Sequence, residues 1–106
     1  MNENKYQKQT DELYRILASL KGEEEFRQFF EDMCTRKEIE HMAGRVESAG
    51  MLLDGETYNS IIARTDISAA TLSRVSRSMQ YGSGGYRVLL KRYRDQQGES
   101  GEDHDD

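Results

Sequence analysis

The stretch TYNSIIARTDISAATLSRVSRSMQY, residues 57–81, decides the fold. Thr57 and Ser68 each stand just before a short run with apolar side chains at helical spacing, where a hydroxyl can accept from a first-turn amide that lacks a partner. The first run carries Tyr58, Ile61 and Ile62, the second Leu72, Val75 and Met79, and about three residues part them. Two helices so close together are predicted to pack as a helix-turn-helix, with Ile61 inside the first, Ile67 in the turn, and Leu72 and Val75 on the inner side of the second. Asp66 stands where glycine is usual, and aspartate is one of the few other residues that tolerate left-handed backbone. Ile62 stands where a small residue is common, a departure from the motif.

The second helix, about residues 69–81, is expected to turn Ala69, Ala70, Ser73, Arg74, Ser76, Arg77 and Gln80 outward, with no acidic side chain among them. Small residues at its N-terminal end let the backbone approach a major groove, while hydroxyls and arginines reach bases and phosphates. The same arginines would also suit an acidic protein partner, so a helical interaction module stands as the alternative to a DNA reader.

Outward from this stretch, apolar residues keep a helical period and no two-residue alternation argues for strand. A first helix, about residues 4–21, gathers Tyr6, Leu13, Ile16, Leu17 and Leu20 and stops near Gly22, suited to a left-handed position. A second, about 23–34, opens on three glutamates and carries Phe26, Phe29, Phe30 and Met33. Thr35 with Glu38 spells a capping box, from which a third helix presents Ile39, Met42, Ala43, Val46, Ala49, Gly50 and Leu53 before Asp54-Gly55 ends it. Beyond Gly82-Ser83-Gly84-Gly85 a last helix carries Tyr86, Leu89, Leu90 and Tyr93 on one face, with Arg87, Lys91, Arg92 and Arg94 elsewhere. The fold class is therefore all-α, with six helices in one domain over residues 1–97; residues 98–106 hold no apolar side chain and are expected to form a disordered acidic tail. Six amphipathic stripes on so short a chain are better covered by pairing two copies, so a homodimer is expected.

The net charge of -5 conceals a split. Residues 1–56 hold 13 acidic and 8 basic side chains, residues 57–97 hold 2 and 7, and residues 98–106 hold 5 and 0. An anionic partner is sought in the basic middle segment. Cys34 is the only cysteine, so neither an intrachain disulfide nor a cysteine-rich zinc site can form, and beside Phe29, Phe30 and Met33 it reads as a small apolar residue. His41 and His104 are too few for a metal set, and no nucleophile with a nearby base or phosphate-cradling glycine loop is present, so catalysis is not expected. The polar N-terminus and the absence of a long apolar run predict a soluble, cytoplasmic protein that uses no membrane.

Thr35, Glu38, Gly44-Arg45-Val46, Leu52-Leu53-Asp54-Gly55, Thr57-Tyr58, Ala70-Thr71-Leu72-Ser73-Arg74-Val75 and Tyr81-Gly82 together resemble the Trp repressor superfamily, more closely its YerC/YecD branch than the tryptophan-sensing repressor. The resemblance implies a six-helix fold in which two chains intertwine through their first three and last helices, setting two reading heads about 34 Å apart on double-stranded DNA. It implies that Ala69, Ala70 and Ser73 face base edges, with room for water-mediated contacts, and that Asn59, Thr71 and Arg77 lie near the backbone or groove rim. With Arg74 these make the expected DNA-binding set of a transcriptional regulator, a repressor by analogy with the family. The family's effector pocket maps onto Thr35, Arg45, Arg74 and Ser78. Val75, however, stands where the tryptophan-sensing repressor has glycine, and its bulk argues against an L-tryptophan corepressor, so no cofactor is expected. The chain is also one residue shorter than the repressor between Glu56 and Thr57.

Overall fold

The computed structural model describes the backbone of residues 3–104 and the side chains as far as Gly98. Its helices are α1 (Glu3–Ala18), α2 (Gly22–Met33), α3 (Arg36–Leu53), α4 (Tyr58–Arg64), α5 (Ala69–Tyr81) and α6 (Gly85–His104). No strand occurs among the described residues, so the expected all-α, six-helix class is observed. The chain divides into two compact units, Met1–Ile39 and Glu40–Asp106.

In the first unit, α1 stops three residues short of the expected end at position 21, because i to i+3 bonds tighten the chain there. The Ser19 amide donates to the Ile16 carbonyl at 3.0 Å and the Leu20 amide to Leu17 at 3.1 Å. Gly22 takes a φ of +81°, as a glycine placed there suggests. The Glu25 carboxylate reaches back to accept from the Lys21 amide at 2.7 Å, which caps α2 although the Lys21 side chain makes no cap. The capping box is present: the Thr35 amide donates to Glu38 Oε1 at 2.8 Å and the Glu38 amide to Thr35 Oγ1 at 3.0 Å. Neither α1 nor α2 has a buried residue. Cys34, at the end of α2, is half-buried.

The core lies in the second unit. Ala49, Val75 and Met79 form a buried cluster, with Leu52, Leu53, Tyr86 and Leu90 packed on it, so α3, α5 and α6 meet there. Ile61 of α4 and Leu72 of α5 are 0% exposed, and burying a side chain of that size contributes roughly 1.5–3 kcal/mol. The end of α3 is a Schellman turn, in which the Glu56 amide donates to Met51 O at 3.1 Å, the Gly55 amide to Leu52 O at 3.0 Å, and Gly55 takes a φ of +83°. Arg94 of α6 fastens this turn: its Nη1 donates to Asp54 Oδ1 at 2.9 Å and its Nη2 to Gly50 O at 2.9 Å. The backbone of α6 is helical as far as His104, within the stretch expected to form a disordered acidic tail. The rest of that expectation, at positions 105–106, lies outside the described residues.

Candidate nucleic-acid interface

Both helices of the motif start where the hydroxyls predict. Thr57 Oγ1 accepts from the Ser60 amide and Ser68 Oγ from the Thr71 amide, each at 3.1 Å. The turn differs from expectation, because no described residue other than glycine has a positive φ, so Asp66 is not left-handed. The reason is local: Thr65 ends α4 in extended backbone at φ -132° and ψ 174°, and its Oγ1 accepts from the Ile67 amide at 3.3 Å. A threonine turn thus supplies the reversal that a left-handed residue would otherwise make. Ile62 causes no crowding, since α4 turns Ile61 inward and leaves Ile62 36% exposed.

α5 has the expected two faces. Leu72, Val75 and Met79 point inward at 0%, 2% and 7% exposure, while Ala69, Ala70, Ser73, Arg74, Arg77 and Gln80 are exposed. Ser76, expected outward, is a correction: it is buried, one position along from Val75 and three before Met79, and its Oγ accepts from Gln80 Nε2 at 3.1 Å. The inward arc is wider than an i, i+3, i+7 reading allows. Asn59 is exposed on α4, and Thr71 is half-buried with its Oγ1 accepting from Ser68 Oγ at 3.0 Å.

An open hollow of about 570 Å³ runs along the outer face of α5, lined by Ala70, Ser73, Arg74 and Arg77, with Ser78, Tyr81 and Gly82 at its far end. Arg74 and Ser78 of the expected effector set meet there, whereas Arg45 is exposed and does not line it. Thr35 lies in the first unit, its hydroxyl engaged in the capping box. Val75 is in the core rather than at the hollow.

The positive charge counted from the sequence is largely engaged. Arg64 pairs with Glu56 at 2.6 Å, Arg94 with Asp54 at 2.9 Å and Lys91 with Asp95 at 3.4 Å, while Arg87 Nε donates to Met79 O at 3.3 Å. Arg74 and Arg77 make no hydrogen bond or ion pair among the described residues, so the α5 face carries two uncommitted guanidinium groups. Lys91–Asp95 is an i, i+4 pair, but Arg64–Glu56 and Arg94–Asp54 join residues 8 and 40 positions apart, which helix periodicity does not reveal. Tyr81, 79% exposed, is likewise a member of this face that apolar periodicity does not select.

A two-helix reading head with an inward apolar arc and an outward basic face, set in an all-α chain, defines a helix-turn-helix protein. Residues 8–94 match the Trp repressor protein family, and the chain belongs to it. It is 43% identical over 93 residues to the uncharacterized protein YerC of Bacillus subtilis (strain 168), covering 88% of this chain and 89% of that one. Among solved structures, it is similar to a Staphylococcus aureus protein provisionally called a Trp repressor, with a TM-score of 0.76 and 40% identity over 80% of this chain and 85% of that one. It is also similar to a TrpR-like protein of Eubacterium eligens ATCC 27750, with a TM-score of 0.76 and 41% identity over 81% and 89% of the two chains. No helix among the described residues is long and apolar enough to cross a membrane.

Proposed function

We propose that this protein is a cytoplasmic, homodimeric transcriptional regulator that binds double-stranded DNA in a sequence-specific way and acts as a repressor. The observation that carries this reading is the α5 face, whose inward residues are spent in the core while Arg74 and Arg77 stand exposed, with no partner among the described residues. Ala69, Ala70 and Ser73 let the N-terminal half of α5 approach base edges; Arg74 and Arg77 then meet bases or phosphates, with Asn59 and Thr71 at the groove rim. Membership of the Trp repressor protein family supports the same assignment. A regulator of this kind performs no catalysis and needs no metal.

Two measurements test the reading. Binding to duplex DNA is expected to weaken with salt at about -0.9 log units per log unit for each phosphate neutralised. Arg74→Ala with Arg77→Ala weakens binding and flattens that slope by about one per lost contact, with helicity unchanged. No duplex binding even at low salt would sink the proposal and favour an acidic protein partner. Binding is also proposed to need no L-tryptophan, because of the four expected pocket residues only Arg74 and Ser78 line the hollow, while the Thr35 hydroxyl is engaged in the capping box. Calorimetry should show no saturable heat with L-tryptophan below millimolar concentration; a micromolar constant would refute it.

A further inference from the structure

Given a DNA-binding face on α5, as proposed above, we infer that Tyr81 is a backbone-contact residue whose phenol donates to a phosphate oxygen at the groove wall, beside the phosphate that Arg77 meets. The outer face of α5 opens with the small Ala70 and Ser73 and carries its long side chains, Arg74, Arg77 and Tyr81, further on, with Ser78 between the last two. At 1.5 Å per residue, Ala70 and Tyr81 stand about 16 Å apart along the axis, more than the roughly 12 Å width of the major groove. A helix that enters by its N-terminal end therefore holds its last turn at the sugar-phosphate wall rather than at the bases. Groups placed there must be long and must donate hydrogen bonds, and a tyrosine hydroxyl is a regular phosphate donor.

Tyr81 meets both requirements. At 79% it is more exposed than any other large apolar side chain described, and neither a ring contact nor a hydrogen bond of its hydroxyl is present among the described residues. Gly82, directly after it, sits against the Ser78 carbonyl so closely that a Cβ would collide, and its backbone leaves the helix axis in extended geometry. The chain thus leaves the helix immediately past Tyr81, whose side chain lines the hollow.

The test uses the full chain with a duplex selected from a random pool and a scrambled duplex of equal length, each titrated over a range of salt. Tyr81→Phe should lower affinity roughly 3- to 10-fold, the range for one hydrogen bond. The loss should be equal on both duplexes, leave the salt slope unchanged because the hydroxyl is neutral, and leave the sedimentation of the free protein unchanged. Arg77→Ala, by contrast, should flatten the slope. Wild-type affinity in Tyr81→Phe, a loss confined to the selected duplex, or a shift in self-association would each overturn the role of Tyr81 while the DNA reading stands. Failure of the wild-type chain to bind either duplex would remove both.

Discussion

At the scale of single residues, side-chain chemistry near the helix ends was legible because it acts over three or four positions. Thr35, Thr57 and Ser68 cap where they were expected to, with every amide partner inside the following turn. Asp66 and Ser76 were not legible for opposite reasons: the turn is closed by the hydroxyl of Thr65, and the buried arc of α5 is widened by its neighbours. Gly82 offers a test at this scale. Its φ of -88° suits any residue, yet an added Cβ would meet the backbone carbonyl of Ser78. Gly82→Ala is expected to cost about 1–3 kcal/mol by urea denaturation. Gly85→Ala, where a Cβ meets nothing within 4 Å, should be neutral or stabilising.

At the scale of elements, amphipathic period located the six helices, and the clearest difference lies at the end of α1, which i to i+3 bonds shorten. The join between α3 and α6 rests on Arg94, which grips Asp54 with both nitrogens, at 2.9 and 3.3 Å, and takes the Gly50 carbonyl as well. The side chains are 44% and 55% exposed, so water and salt screen the pair. A double-mutant cycle with Arg94→Ala and Asp54→Ala should return a coupling of about 0.5–1 kcal/mol that shrinks as salt is raised. A coupling indistinguishable from zero at low salt would make this clamp incidental.

At the scale of the whole molecule, the unburied apolar faces of α1 and α2 are the feature that one chain leaves unexplained. Tyr6, Ile16, Phe26 and Met33 are 67%, 46%, 45% and 47% exposed, an amount of apolar surface that a second copy would cover. Sedimentation equilibrium is expected to give twice the 12.3 kDa mass of the chain. Replacing Phe26 and Met33 with serine should shift the protein toward monomer while leaving the melting of the Glu40–Asp106 unit little changed. A wild-type monomer at high concentration would contradict the dimer.

Sequence alone determined the helical class, the caps, the motif at residues 57–81 and the inward set Leu72, Val75 and Met79, because each depends on neighbours within one or two helical turns. Only tertiary structure decided which cations remain available. Arg94 is drawn to Asp54, 40 residues away, Arg64 folds back to Glu56, and Arg74 and Arg77 have no partner among the described residues because their face of α5 looks out from the core. Charge can be counted along a chain, but whether it is neutralised depends on what packing brings within about 4 Å.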